Sequence, residues 1–190
     1  MGEAMGSSTP DPALAAQFTQ LVESYQTALH SFALGMVGER ELAHDLVQEA
    51  FAAAWRVATE RKAPFGDQRD EEGARRWLFV VTYRQAALVL RRRRYLAWRS
   101  LDQASLEEVP SPNPDMANAI VEADVLRSAL SALDPVDTAC FLLQVVQGST
   151  TREIAVIVGL RHDVVRKRLS RARQRLRAAY AIEESHLSNT

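Results

Sequence analysis

The chain has 190 residues, of which 47% are hydrophobic, with eight glycines and seven prolines. This length allows one or two small domains, and the composition is typical of a globular, mostly helical protein. The formal net charge of −1 conceals a strong segregation, because acids dominate residues 11–60 whereas arginine and lysine dominate residues 150–180. Such a separation predicts two surfaces with different partners.

Several classes of protein are excluded by what the sequence contains. The single cysteine, Cys140, excludes an internal disulfide and a cysteine-cluster metal site, and its apolar surroundings predict a core residue. No apolar run approaches the roughly 20 residues that span a bilayer, and no signal peptide precedes the first predicted helix, so we expect a cytoplasmic protein. The four histidines are scattered, without a carboxylate pair or a glycine-rich phosphate loop. We therefore predict no enzyme, no cofactor and no metal site.

Two amphipathic helices are predicted after a disordered tail at residues 1–12, the first over about 13–37 and the second over about 39–61. The second helix has an apolar row and, on its opposite side, an exposed and largely acidic row: Asp45, Gln48, Glu49, Ala52 and Arg56. This row is either a solvated helix face or a docking site for a basic partner, and its spacing is compatible with both.

A loop over residues 62–74 precedes a third predicted helix, over about 75–98. The residues expected to supply its apolar contacts are Trp77, Leu78, Val81, Leu88 and Leu90. Four consecutive cations, Arg91 to Arg94, repel one another, so we expect a polyanion nearby. The neighbouring aromatic residues Tyr83 and Tyr95 either stack on unpaired bases or pack in the core.

Residues 100–118 form a predicted linker, because they are acidic and contain three closely spaced prolines. Helices are expected again over about 117–132 and from Asp134-Pro135, an N-cap acid followed by a proline, to Gln147-Gly148.

The last part of the chain predicts a helix-turn-helix. Thr150 and Glu153 match a capping box before a short helix, Gly159 marks a turn, and an amphipathic helix follows over 160–180. Its predicted buried stripe is Val165, Leu169, Ala172, Leu176 and Tyr180. Almost everything else on it is cationic, which suits a DNA groove, whereas ordinary surface helices mix both signs.

Two motifs carry a resemblance to a known family. The segment AHDLVQEAFAAAW (43–55) resembles the polymerase-binding segment of sigma region 2, and GSTTREIAVIVGLRHDVVRKRLSRARQRLRAA (148–179) resembles sigma region 4. Over about residues 14–182 the chain is similar to the sigma-70 family of bacterial RNA polymerase initiation factors, specifically the extracytoplasmic-function (ECF) type.

The resemblance implies an all-α fold of two small helical domains joined by an extended acidic linker. Region 2, a three-helix bundle for polymerase binding, −10 recognition and melting, would occupy residues 13–99. The linker would occupy 100–118, region 4 with its helix-turn-helix would occupy 119–182, and a tail would follow at 183–190.

The resemblance also assigns partners to the faces described above. Core RNA polymerase would be bound through the clamp helices of its largest subunit and through its flap, and most ECF-type factors also have an anti-sigma partner. The residues that would dock on the clamp helices are Asp45, Gln48, Glu49 and Arg56. Those that would contact −10 promoter DNA are Arg75, Arg76, Tyr83, Arg84, Gln85, Arg91 and Arg92. Those that would contact the −35 element are Arg166, Lys167, Ser170 and Arg171.

The sequence departs from the family pattern in the −10 helix, where Arg84 stands at an asparagine position and Leu88 at an aspartate position. It also departs at the start of the last helix, where Arg161 and Asp163 replace a small cap and a glycine. Two alternatives to a sigma factor that melts DNA stay open, of which the second is suggested by Arg84 and Leu88. One is a free-standing helix-turn-helix regulator, and the other is a sigma-like factor that is defective in melting DNA.

Overall fold

The computed structural model describes residues 11–61, 71–100, 128–130 and 132–187, with side chains except at 61, 71, 97–100 and 179–187. Its helices are α1 (Pro12–Val37), α2 (Arg40–Arg61), α3 (Glu71–Ser100), α4 (Pro135–Val145), α5 (Thr151–Val158) and α6 (His162–Leu187). This part of the chain contains no strand, and the predicted all-α class is confirmed. The predicted linker, most of the predicted loop and most of the helix expected at 117–132 lie outside the described residues.

Local capping fixes the ends of α1. The Asp11 carboxylate accepts a hydrogen bond of 3.0 Å from the Ala13 N–H, and Pro12 occupies the first turn, where its missing N–H leaves no bond unmade. Gly38 ends the helix at φ 77°, and its N–H donates to the Leu34 carbonyl. This left-handed backbone conformation is unfavourable for residues that have a Cβ, which explains the glycine at this position.

Helices α1, α2 and α3 pack together as a three-helix unit. Leu29, Phe32 and Phe79 are completely buried, and the rings of Phe32 and Phe79 meet edge to face with centroids 5.4 Å apart. Burial of each such side chain contributes about 1.5–3 kcal/mol. Two expectations for α3 are wrong. The helix begins four residues earlier than predicted, because Gly73 is tolerated in its first turn, and Leu88 is 56% exposed rather than packed.

Helices α4, α5 and α6 form a second unit. Helix α4 begins as predicted, with the Asp134 side chain accepting from the Val136 N–H at 3.0 Å and Pro135 in the first turn. Its completely buried residues include Leu143 and Cys140, which confirms the predicted core position of the cysteine.

The two units share one continuous hydrophobic core. Helix α1 packs against α4, and α3 packs against both α4 and α5. The two units approach each other closely at Gly35, where a Cβ would lie 2.7 Å from one methyl carbon of Leu142. Across residues 11–61, 71–100 and the described residues from 128 onward, every helix is too short or too polar to cross a membrane.

Candidate nucleic-acid and protein interfaces

The short helix α5 is held by a reciprocal capping box. The Thr150 Oγ accepts from the Glu153 N–H at 3.3 Å, and the Glu153 Oε2 accepts from the Thr150 N–H at 2.6 Å and from its hydroxyl at 2.8 Å. These hydrogen bonds to the charged carboxylate lower the pKa of Glu153, against a smaller opposing effect of burial. Gly159 ends the helix at φ 69°. The predicted helix, turn and second helix are all present.

The apolar stripe of α6 is buried, and the basic face beside it is exposed. Val165, Leu169, Ala172 and Leu176 are buried, as predicted. The four residues assigned to the −35 element, Arg166, Lys167, Ser170 and Arg171, are all exposed and share one helix face. The structure does not describe the side chain of Tyr180, the last residue of the predicted stripe.

Arg168 is less exposed than the other described arginine and lysine side chains of α6. Its Nη1 donates to the Asp137 Oδ1 at 2.7 Å and lies 3.5 Å from the Asp134 carboxylate. Asp137 is 3% exposed, and Arg175 approaches its other oxygen at 3.9 Å. The hydrogen bond to Asp137, opposed by a smaller effect of burial, raises the pKa of Arg168. This ion pair attaches α6 to α4.

The residues assigned to −10 DNA fall into two groups. Arg84, Arg91 and Arg92 are exposed on α3, whereas the others are partly or fully buried: Arg75, Arg76, Tyr83 and Gln85. Burial, with smaller contributions from Cys140 and Asp134, raises the pKa of Tyr83. Tyr83 is 9% exposed and belongs to the same core cluster as Cys140 of α4, so in this arrangement it is not accessible to DNA.

Arg75 is held by the second unit. Its Nη2 donates to the Gln147 carbonyl at 3.0 Å and to the Ser149 Oγ at 3.2 Å, and its Nη1 lies 3.8 Å from the Glu153 carboxylate. The guanidinium also lies over the Phe79 ring at 5.4 Å from the centroid.

Two carboxylates of the protein itself lie beside the arginine run, where the sequence predicts a polyanion. Arg93 donates to the Glu39 carboxylate at 2.8 Å, and Arg94 lies 3.8 Å from the Asp134 carboxylate. Arg91 and Arg92 are exposed. Arg93 and Arg94 are exposed as well, but their guanidinium groups already lie near these carboxylates, so Arg91 and Arg92 are better placed to contact an external anion.

The acidic row of α2 is exposed along its whole length. Asp45, Gln48, Glu49 and Arg56 all lie at the surface. Beside them is an apolar groove of about 450 Å³ between α1 and α2, whose lining residues are Ala15, Phe18, Thr19, Phe51, Ala52 and Trp55. Because Ala52 belongs to both the row and the groove, charged and apolar surfaces adjoin there, as at many protein interfaces.

Sequence reasoning missed the inward role of Arg168 and the hydrogen bonds that Gln147 makes between the units. A signal for Arg168 was available, since it stands three residues after Val165 and four before Ala172, at the edge of the buried stripe. Among the described residues, no group of three or more His, Cys, Asp or Glu side chains is arranged to hold a metal ion.

The fold and the exposed basic helix define a helix-turn-helix protein, and comparisons with known proteins specify its family. The family model for Sigma-70 region 2 matches residues 21–96, and that for Sigma-70 region 4 matches residues 123–176. ECF RNA polymerase sigma factor SigE of Mycolicibacterium smegmatis is 28% identical over 194 residues, which cover 100% of this chain and 71% of SigE.

A second relative and a solved structure are also sigma factors. The probable ECF RNA polymerase sigma factor SigI of Mycobacterium tuberculosis is 32% identical over 165 residues, and the chain spans about half of it, 52%. The solved structure of sigma factor RpoE with the anti-sigma factor NepR from Bartonella quintana matches with a TM-score of 0.66 and 25% identity, covering 87% of this chain and 98% of RpoE. The chain belongs to the sigma-70 family of RNA polymerase sigma factors, as a factor of the ECF type. Members of this family are initiation factors rather than enzymes.

Proposed function

We propose that this chain is a dissociable sigma factor that binds core RNA polymerase, recognises the −35 and −10 promoter elements and promotes DNA melting in the bacterial cytoplasm. The observation that carries the proposal is that two chemically different faces are exposed at once. One is the basic face of α6, and the other is the acidic row of α2 beside its apolar groove.

The α6 face suits −35 DNA. Arg166, Lys167 and Arg171 can pair with phosphates or with guanine edges, and Ser170 is short enough to let the helix approach a groove. The Arg168–Asp137 ion pair on the neighbouring face would hold the helix at a set angle while the exposed side chains contact the DNA.

The exposed face of α3 suits −10 DNA. Arg84, Arg91 and Arg92 would contact phosphates, and Leu88 between them offers an apolar surface in place of the family's acid. Arg75, Arg76, Tyr83 and Gln85 complete the proposed set, and the buried members among them require a different arrangement of the two units to reach DNA.

The α2 face suits the polymerase clamp helices, with Asp45 and Glu49 meeting basic side chains and the groove receiving an apolar one. The RpoE structure contains an anti-sigma factor, and this likeness supports an anti-sigma partner for the present chain as well. Residues 13–99 and 119–182 are the proposed extents of regions 2 and 4.

Reconstituted transcription tests this proposal. Core polymerase with the full chain should initiate from cognate promoters in genomic DNA, and mapping of the transcript ends would give both elements. Failure of the chain to bind core polymerase would contradict the proposal. Dimers of the free chain that bind a palindromic site would instead support the free-standing regulator.

A sigma-like factor defective in melting is the second candidate, favoured by Arg84 and Leu88 at positions where the family has other residues. Permanganate footprinting of promoter complexes distinguishes the two functions. Reactive, unpaired thymines indicate melting, whereas complexes that form with core polymerase but stay unreactive indicate the defective factor.

A further inference from the structure

One face of α3 carries exposed arginines and exposed apolar side chains in alternation. Its four positions, at steps of four, three and four residues, are Arg84, Leu88, Arg91 and Tyr95. Such steps keep the side chains within roughly 60° of one another around the helix and spread them over about 16 Å of its length. All four are exposed, Leu88 by 56% and Tyr95 by 55%. We call these four residues the α3 stripe.

Leu88 differs from an ordinary exposed leucine because of its neighbours. A single leucine at a protein surface is common and needs no partner. Leu88, however, lies about one helical turn from an exposed arginine on either side, and α3 has no acidic residue from 74 to 96. Basic side chains of this kind position a protein on nucleic-acid phosphates, and the side chains between them then face the bases. The stripe therefore places an apolar group where a base is expected.

The leucine side chain has no hydrogen-bonding group, and this limits which base edge it can cover. The C5 methyl of thymine is the one apolar group that the bases present in the major groove, whereas guanine, adenine and cytosine present donors or acceptors there. A leucine over such polar groups would displace water from them without returning a hydrogen bond, which is unfavourable. Contact with the thymine methyl buries apolar surface and is favourable. The chemistry of residue 88 therefore favours thymine.

We propose that Leu88 is a specificity-determining residue, which selects thymine at one position of the −10 element by contact with its C5 methyl group. The inference rests on the proposed function, since it requires the α3 stripe to meet −10 DNA. Arg84 and Arg91 bind phosphates of the same segment and supply affinity, whereas Leu88 decides the base. A carboxylate at residue 88 would instead accept a hydrogen bond from the amino group of cytosine. The departure from the family pattern at this residue thus changes the base that is read.

Replacement of thymine by deoxyuridine tests the contact, because it removes the C5 methyl group and nothing else. In −10 DNA from a promoter mapped by transcription, each thymine is replaced in turn, and binding of the full chain with core polymerase is measured by fluorescence anisotropy. One replacement should weaken binding about fourfold, as expected for the loss of one buried methyl group. In Leu88→Ala this penalty should disappear, because the side chain that contacts the methyl is gone.

Two further variants control for the position and for the chemistry of the side chain. Leu96 is 52% exposed on the same helix but lies about 100° from the α3 stripe, so Leu96→Ala should keep the deoxyuridine penalty of the parent. Leu88→Asp should prefer cytosine to thymine at the same position by several-fold, although its total affinity falls because the new charge repels phosphates. Circular dichroism verifies that each variant is folded, as expected for changes at exposed residues.

The outcomes separate this inference from the proposed function. Equal binding of thymine and deoxyuridine at every position by the parent would overturn the role of Leu88, and so would a penalty that persists in Leu88→Ala. A chain that does not bind core polymerase would count against the proposed function. The same replacements are then made in DNA that the chain alone selects from a randomised pool, and they decide on Leu88 separately. A chain that binds DNA in neither assay would overturn both.

Discussion

Arg168 has a different role from the arginines around it, although the sequence presents them as one basic run. Its partner Asp137 is 3% exposed, and a buried carboxylate is tolerated only when it is paired. The neighbouring Arg166 and Lys167 project from the exposed face of the same helix. Residues with the same chemistry thus divide between structural support and proposed recognition according to their angular position on α6.

Removal of the buried pair should destabilise the fold. Arg168→Ala leaves Asp137 with only the more distant Arg175, so we expect the free energy of unfolding to fall by about 3 kcal/mol. Urea denaturation measures this change, and Arg166→Ala is the matched control, expected within about 0.5 kcal/mol of the parent. Combining Arg168→Met with Asp137→Leu should recover most of the loss, and no recovery would show that the pair does more than neutralise a buried charge.

Removal of an exposed arginine should instead affect DNA. Arg171→Ala is expected to weaken binding to −35 DNA by about 1–3 kcal/mol, or roughly fivefold to 150-fold in Kd, because it removes a base or phosphate contact. Affinity for core polymerase should not change. Fluorescence anisotropy measures both, with Arg177→Ala as the control outside the proposed set. An equal loss of polymerase binding would mean that Arg171 is structural.

Helix ends are fixed by short-range contacts, and α5 is the clearest case. Its capping box satisfies N–H groups at the start of an eight-residue helix that would be unstable in isolation. A packed face completes it, since Ile154, Ala155, Ile157 and Val158 are buried. The helix-turn-helix therefore combines local capping, a left-handed Gly159 and packing against α6.

The capping box should make stability depend on pH. Because the folded pKa of Glu153 is below its ordinary value of 4.5, the ionised carboxylate contributes stability above that value, and this contribution is lost as pH falls through the lower folded pKa. Glu153→Gln should therefore be less stable than the parent by about 0.5–1 kcal/mol at neutral pH. The difference should shrink below about pH 4.

Thermal denaturation across this pH range provides the measurement. Glu49→Gln is the matched control, since its carboxyl is exposed on α2 and is not part of a helix cap. A difference between Glu153→Gln and the parent that stays constant down to pH 2 would show that the charge of Glu153 does not contribute to the cap.

Two surfaces of opposite charge lie on different helices, α2 and α6, even though the two units share a core. The acidic row lies on α2 in the first unit, and the basic face lies on α6 in the second. Segregated surfaces of opposite sign steer partners of opposite charge, so a net charge of −1 says little about either interaction.

Charge reversal on α2 should separate the two binding activities. The double variant Asp45→Arg/Glu49→Arg is expected to lose core-polymerase affinity by at least about tenfold, because like charges would then face each other. Its binding to isolated −35 DNA should be retained. The single changes Glu49→Arg and Glu23→Arg form a matched pair, because Glu23 is an exposed acid on α1 outside the row. Equal losses of polymerase affinity in that pair would indicate a general charge effect instead of a docking site.

Local patterns in the sequence were enough to predict the six helices α1 to α6, the caps at Asp134 and Thr150, the turn at Gly159 and the exposure of the acidic row, because periodicity and capping act over a few residues. Contacts between distant segments were not predictable in this way. Arg75, Tyr83 and Arg168 were expected at DNA or on a basic surface, yet each meets a partner far along the chain. Leu88 was expected in the core and is exposed. The orientation of such side chains depends on which helices pack together, since an amphipathic pattern specifies which face is buried but not the partner that covers it.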